Sequence, residues 1–208
     1  MCDPNSLTKP EDYVRCRIME TLQAPATKRI DFRVGALHVD ASGFAAVQFA
    51  VFSHAIGVSV EKLTVPNANA IYHRGRDTFL VGRFTFGKFA DEKAALLHEC
   101  VHAMTDIQMV LWTYGEDEAT GYIAEMLFYR YHTGSSATAD VKAAGLSLTS
   151  YEAEADRIAG LIANTPGALV SPQDVRTLAS LVLADPAYSG ITLQDPSGAN
   201  GVAGLEDD

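Results

Sequence analysis

The protein has 208 residues, 48% of them hydrophobic and 20% charged, a composition typical of a globular domain with a sizeable core. Its formal net charge at pH 7 is −10, and a surface of that sign repels phosphate, so we expect no nucleic-acid partner. The three cysteines lack the spacing of a metal site or a disulfide framework, which favours a reducing compartment.

The first part of the chain is predicted to mix helices with short strands. Residues 10–23 begin with a proline and repeat apolar side chains at helical spacing, which predicts a helix. Alternating polar and apolar residues over 29–39 predict a strand that bends near Gly35. Residues 41–60 carry no Asp, Glu, Lys or Arg. Because this stretch has several polar side chains and two glycines, we expect a buried core helix and no membrane span.

A strand and a hairpin are predicted next. Residues 58–65 favour a strand, and a turn at 67–69 follows it. Residues 71–73 and 78–83 then form the two strands of a hairpin around a loop at 74–77.

Helices dominate the remaining sequence. Four are expected, over residues 92–111, 116–132, 149–164 and 171–183. Asp91 is expected to cap the first and Gly134 to end the second. A capping box of Thr149 and Glu152 begins the third. The small residues at 135–140 favour a loop.

A single domain is predicted over residues 1–188. Strands that precede a run of helices indicate an α+β fold, in which helices pack on one face of a small, mostly antiparallel sheet. Residues 189–208 are rich in Gly, Asp and Asn, which predicts a flexible tail that folding does not require.

The sequence H-E-x-x-H occurs at residues 98–102, inside the first of the four helices. Four residues of α-helix turn through roughly 400°, so His98 and His102 project from one face and can bind one metal ion. Glu99 lies beside them, where its carboxylate can accept a proton from water at an open position of the ion. Imidazole ligands favour zinc over calcium or magnesium.

A hydrolytic zinc site needs a third protein ligand, and the sequence offers several carboxylates. Glu118 is the first choice, because small residues around it would let two helices approach closely. Glu152 is the rival, although its capping box already explains it. Asp106 is better placed to hydrogen-bond a motif histidine than to bind the ion. Glu125 is a further candidate ligand.

Residues 94–106, A-A-L-L-H-E-C-V-H-A-M-T-D, and 117–126, D-E-A-T-G-Y-I-A-E-M, resemble the gluzincin group of the zincin metallopeptidases. The resemblance implies Zn²⁺, peptide-bond hydrolysis and Glu99 as the general base. It also implies an edge strand that holds the substrate extended, for which the hairpin 71–83 is the candidate. The zinc ligands that it implies are His98, His102 and Glu118.

The sequence departs from the best-known members of this family in three respects. No glycine with a third histidine follows the motif, which excludes the metzincin variant. Tyr122 stands where an E-x-x-x-D pattern at Glu118 would place an aspartate, so the partner of the site must come from elsewhere, and Asp106 is available. No clear signature marks the residue that stabilises the oxyanion. Four side chains are available for that role: Tyr122, Tyr129, Tyr131 and His132.

Other polar residues are expected to be structural. Three histidines lack ligand spacing: His38, His54 and His73. Cys100 is expected to be an inert core residue, and Arg74 and Arg76 are expected to be solvated in the hairpin loop.

We therefore expect a zinc metallopeptidase with a peptide or protein substrate. One alternative is an inactive zincin-fold protein that binds zinc or a partner, with Asp106 or Glu152 as a fourth ligand. Another is a coincidental motif on a structural helix, which predicts no bound metal. The N-terminal residues do not form a signal peptide, so we expect a cytoplasmic protein or one exported by another route, such as a bacterial effector.

Overall fold

The computed structural model describes residues 7–63 and 68–198. Within these ranges it contains seven α-helices and two three-stranded sheets, which confirms the α+β class. The helices are α1 (Pro10–Gln23), α2 (Ala41–Phe52), α3 (Ala90–Ile107), α4 (Tyr114–Thr133), α5 (Ala137–Ala143), α6 (Ser150–Ile162) and α7 (Pro172–Leu183). The strands are β1 (Phe32–Val34), β2 (Leu37–Val39), β3 (Gly57–Val60), β4 (Ala70–His73), β5 (Thr78–Val81) and β6 (Ala168–Leu169).

Both sheets are mixed, whereas a single, mostly antiparallel sheet was predicted. In the first, β1 pairs antiparallel with β2 and parallel with β6. In the second, β5 pairs antiparallel with β4 and parallel with β3. The parallel partners are separated by other elements along the chain, so a local sequence pattern does not reveal them.

The predicted hairpin is confirmed, and β4 is an edge strand of the second sheet. A 3₁₀ turn over Arg74–Arg76 joins β4 to β5. The backbone N–H of Tyr72, in the middle of β4, donates to Glu99 Oε2 on α3 at 2.6 Å. The edge of β4 that is not paired with β5 therefore faces the motif helix.

The charge-free stretch at residues 41–60 is shorter as a helix than predicted. Helix α2 begins with the Asp40 carboxylate, which accepts the backbone N–H groups of Ser42 and Gly43, and it ends at Phe52. His54 follows with a φ of 64°, so the chain turns before β3. Among the described residues, no helix combines the length and apolarity needed to cross a membrane.

Helix α3 begins at Ala90, so Asp91 is not its cap as predicted. The carboxylate of Glu92 does this work, because it accepts the backbone N–H of Lys88 at 2.8 Å and that of Phe89 at 3.3 Å. The helix ends at Ile107, four residues earlier than expected, and Met109 follows with a φ of 51°. The predicted end of α4 is confirmed, since Gly134 follows it in the left-handed conformation with a φ of 78°.

The later helices agree with the sequence except at residues 135–140. The predicted loop there contains the start of α5, which Ser136 caps by accepting the backbone N–H of Ala139. The predicted capping box of Thr149 and Glu152 is present at the start of α6. Ser136 is a small residue of the kind that also favours turns, so its capping role was missed.

Helix α3 lies at the centre of the fold and packs against α1, α2, α4 and β4. Its apolar side chains are fully buried: Leu96, Leu97, Cys100, Val101 and Met104. Burial raises the pKa of the Cys100 thiol, which is free and stays protonated, as expected of an inert core residue.

The first part of the predicted tail contacts the body of the protein. The backbone N–H of Tyr114 donates to the carbonyl of Asp195 at 2.6 Å, and that of Ser197 donates to the carbonyl of Trp112 at 2.9 Å. These bonds hold residues 195–197 against the start of α4. Residues 1–6, 64–67 and 199–208, which include the end of one predicted strand and half of the predicted tail, lie outside the described residues.

The cap of α3 predicts a pH-dependent stability. Burial disfavours the charged Glu92, but the N–H groups of Lys88 and Phe89, together with Arg83, lower the pKa of Glu92 below its ordinary value. A lowered folded pKa stabilises the native state above the unfolded value of about 4.3, and this contribution disappears as the pH falls through the folded pKa. We expect Glu92→Gln to cost about 1 kcal/mol at pH 7 and progressively less as the pH falls through the folded pKa of Glu92. Urea unfolding of both proteins from pH 7 to 3 measures this, and a constant difference would contradict it.

Candidate metal centre

Helices α3 and α4 bring the predicted residues His98, His102 and Glu118 together. All three are buried, and one donor atom from each lies within 4.8 Å of the others. His98 Nε2 is 3.5 Å from Glu118 Oε2, and His102 Nε2 is 3.4 Å from Glu118 Oε1. This group could hold a metal ion.

A glycine lets the two helices approach closely enough to form the group. A Cβ atom on Gly121 would lie 2.7 Å from His98 Nε2 and 2.8 Å from its Cδ2, which is closer than a carbon atom can be placed there. The rings of Tyr122 and His98 also pack in a T-shaped contact, with their centroids 4.4 Å apart. The expectation of small residues at this contact is therefore confirmed at Gly121.

Carboxylates hold the outer nitrogen of each histidine. His102 Nδ1 is 2.8 Å from Asp117 Oδ2, and His98 Nδ1 is 3.1 Å from Glu125 Oε2. With Nδ1 occupied, the Nε2 atoms of both rings face Glu118. Such outer carboxylates fix the orientation and tautomer of metal-binding histidines.

Asp106 does not hydrogen-bond a motif histidine, contrary to what the sequence suggested. Its Oδ2 accepts the hydroxyl of Tyr72 at 2.9 Å, and the Nδ1 atoms of both motif histidines bond to other carboxylates. Asp106 lies one turn beyond His102 on α3, whereas the carboxylates of Asp117 and Glu125 approach from α4. The prediction failed because it considered partners on the same helix only.

The rival ligand Glu152 lies outside the group. It is half-buried at the cleft wall, and its Oε2 accepts the backbone N–H and the hydroxyl of Thr149, each at 2.7 Å. Its capping role therefore accounts for its position.

Three tyrosines surround Glu118. The Tyr188 hydroxyl donates to Glu118 Oε2 at 3.0 Å and lies 3.2 Å from the Tyr122 hydroxyl. Tyr114 lines the same cleft, and burial together with the nearby charge of Glu118 raises its pKa. Sequence reasoning named Tyr122 but missed the other two. Tyr114 could have been found, since it precedes Glu118 by one helical turn, but no local signal marks Tyr188.

The remaining candidates for oxyanion stabilisation point elsewhere. The Tyr129 hydroxyl donates to Asp140, and that of Tyr131 donates to the carbonyl of Ala163. His132 stacks on Phe128. Among the four side chains that the sequence offered, Tyr122 is the one that the structure places at the site.

The group lies at the base of a cleft of about 680 Å³. Strand β4 forms one wall, and α4, the start of α6 and residues 185–188 contribute to the others. Glu99 also lines the cleft, half-buried, with one oxygen bonded to the edge of β4. An extended chain could therefore lie along β4 and pass both Glu99 and the three donor atoms.

The charges of the group depend on one another. Burial disfavours the charged histidines, but Asp117 and Glu118 outweigh it and raise the pKa of His102 to about 9. Burial likewise disfavours the charged form of Glu118, yet the two histidines lower its pKa well below the ordinary value. Burial raises the pKa of Glu99, and the histidines partly offset it. The carboxylates thus require positive charge between them, which a metal cation can supply by displacing protons.

Comparison with known proteins gave no matching family model, no matching curated protein and no matching solved structure.

Proposed function

We propose that this protein is a zinc-dependent metallopeptidase. The observation that carries the proposal is the convergence of His98 Nε2, His102 Nε2 and a Glu118 oxygen, with Glu99 in the same cleft. The zincin resemblance of residues 94–126 adds the expectation of peptide hydrolysis.

The donor set favours zinc. Two imidazoles and one carboxylate are the three protein ligands found in several catalytic zinc sites, whereas calcium and magnesium prefer oxygen ligands. His98, His102 and Glu118 hold the ion in this proposal. Bound zinc acts as a Lewis acid and lowers the pKa of water to about 7.

Glu99 acts as the general base. Its Oε2 is fixed by the backbone N–H of Tyr72, which orients the carboxylate and leaves the other oxygen for proton transfer. Glu99 accepts the proton of the attacking water and passes it to the amine that leaves when the peptide bond breaks. Strand β4 lines the same cleft as Glu99, so an extended substrate would lie alongside this strand.

The arrangement supports an open site over a closed, structural one. A structural zinc site needs a fourth protein ligand, for which the sequence offered Asp106 or Glu152. Asp106 bonds Tyr72 and Glu152 caps α6. Among residues 7–63 and 68–198, the group contains three donor residues, which leaves a position for water.

Metal content is the first test. We expect the purified protein to contain one zinc per chain by plasma mass spectrometry. Glu118→Ala removes a ligand and should abolish stoichiometric zinc, whereas the matched variant Glu152→Ala should retain it. A folded wild-type protein that does not bind added zinc would overturn the proposal. If Glu152→Ala lost zinc and Glu118→Ala kept it, Glu152 and not Glu118 would be the third ligand.

Hydrolysis is tested separately with a mixed peptide library analysed by mass spectrometry. The zinc-loaded protein should generate new peptide termini, and a chelator should stop the reaction. A zinc-loaded protein that cleaves neither the library nor unfolded proteins would favour the inactive, zinc-binding alternative.

A further inference from the structure

Most of the Arg74 side chain is shielded from solvent, although the residue belongs to the hairpin turn between two short strands. Its side chain is 12% exposed, whereas that of Arg76 is 48% exposed and pairs with Glu61. The sequence-based expectation of a solvated Arg74 is therefore wrong. A guanidinium is costly to bury unless charged and polar partners compensate it, so its partners indicate its role.

Those partners come from three separate parts of the fold. One terminal nitrogen lies 2.6 Å from Asp117 Oδ2 on α4 and 2.8 Å from Thr105 Oγ1 on α3. The other terminal nitrogen donates to the carbonyl of Ser197. Arg74 thus joins the hairpin that carries β4 to both helices of the metal centre and to the C-terminal segment 195–197.

Asp117 connects Arg74 to a proposed metal ligand. Its carboxylate is 2% exposed and receives three contacts: from Arg74, from the Thr105 hydroxyl at 3.0 Å and from His102 Nδ1 at 2.8 Å. The oxygen that holds the His102 ring, Oδ2, is the same one that Arg74 contacts. The guanidinium therefore fixes the position from which Asp117 orients His102.

The other histidine provides a contrast within the same site. His98 is held by Glu125, whose side chain is 17% exposed. Among the described residues, Glu125 forms its ion pair with His98 and with no arginine. If both carboxylates needed an arginine in order to hold their histidines, Glu125 would have one as well as Asp117. The arginine is found where the edge-strand hairpin meets the site.

We propose that Arg74 is a positioning residue, which orients His102 through Asp117 and so couples the hairpin of β4 to the metal centre. The proposal rests on the proposed zinc-binding function. Outer partners of metal ligands typically contribute 10- to 100-fold to metal affinity, and that range is the expected effect.

A second arginine that pairs with a buried carboxylate supplies a matched control. Arg130 pairs with Asp156 at 2.7 Å, and the Asp156 side chain is 5% exposed. The pair joins α4 to α6, and neither residue lines the cleft. Arg74→Gln and Arg130→Gln therefore each remove the cation from a buried carboxylate, but only the first does so beside the metal centre.

The test measures zinc affinity by chelator competition, the visible spectrum of the Co²⁺-loaded protein and the thermal midpoint. Both glutamine variants should lower the thermal midpoint. Arg74→Gln alone should weaken zinc binding 10- to 100-fold and change the Co²⁺ spectrum, and Arg74→Lys should recover part of the affinity. In Asp117→Asn, adding Arg74→Gln should cause less loss of affinity than Arg74→Gln causes alone, because Arg74 acts mainly through Asp117 and its direct contact with the His102 carbonyl is long, at 3.4 Å.

The outcomes separate this inference from the proposed function. Wild-type affinity and Co²⁺ spectrum in a folded Arg74→Gln variant would overturn the positioning role and leave the zinc site intact. An equal loss of affinity in Arg130→Gln would also overturn it, since general destabilisation would then be the cause. A folded wild-type protein that does not bind zinc or Co²⁺ would overturn the proposed function itself.

Discussion

Glu99→Gln is expected to keep zinc and the fold but to lower kcat/KM for peptide hydrolysis about 10³-fold. The glutamine amide can still accept the backbone N–H of Tyr72, so the side chain should remain against β4. It cannot accept the proton of the attacking water. A loss of this size equals about 4 kcal/mol of transition-state stabilisation and is typical of a removed general base.

The measurement compares steady-state hydrolysis and zinc content in the wild type, Glu99→Gln and Glu20→Gln. Glu20 lies on the exposed part of α1 and pairs with Arg17, so its variant should behave like the wild type in both assays. Wild-type hydrolysis by zinc-loaded Glu99→Gln would contradict the assigned role. A loss of zinc in that variant would instead show that Glu99 helps to hold the metal.

Gly121→Ala is expected to lower zinc affinity at least 10-fold. The new Cβ would meet His98 ring atoms at 2.7 to 2.9 Å, and the ring has little freedom because Glu125 holds Nδ1 and Tyr122 packs on its face. Either the ring or helix α4 must move, and both movements separate His98 from Glu118. Alanine forms helices better than glycine by about 1 kcal/mol. A loss of zinc affinity in Gly121→Ala could therefore not be attributed to a weaker helix α4.

Gly160→Ala is the control for Gly121→Ala. Gly160 also lies inside a helix, but there the nearest atom to an added Cβ is the terminal nitrogen of Arg130, at 3.3 Å, and a long side chain can move. We expect unchanged zinc affinity and equal or greater stability in that variant. Chelator competition measures the zinc affinity of both variants. Equal affinities would contradict the prediction, because they would show that helix α4 accommodates the added methyl group without disturbing the zinc ligands.

Much of the candidate site could be predicted because it depends on spacing along single helices. His98 and His102 are one turn apart, and this alone places both rings on one face of α3. Glu118 required one more inference, that small residues near Gly121 let the next helix approach. The outer carboxylates could not be assigned in this way, since Asp117 and Glu125 depend on how α4 is rotated against α3.

The errors in the fold have similar causes. The parallel pairs β1–β6 and β3–β5 form between distant segments, so the sequence suggested a mostly antiparallel sheet. Arg74 was expected in solvent because its neighbours form a turn, yet its partners come from α3, α4 and the C-terminal segment. Tyr188 reaches Glu118 from a turn after the last helix, and no motif around it indicates that contact.

The position of β6 has a consequence for how the chain acquires its structure. Phe32 pairs with Ala168, so the first sheet cannot be completed until most of the polypeptide has been synthesised. The donor atoms of the candidate metal centre, in contrast, all come from two helices that are adjacent along the chain. Contacts between neighbouring segments form faster than contacts that close long loops. A nascent chain can therefore assemble the ligand group before its first strand has found its last partner, and zinc available at that stage would favour the correct pairing of α3 with α4.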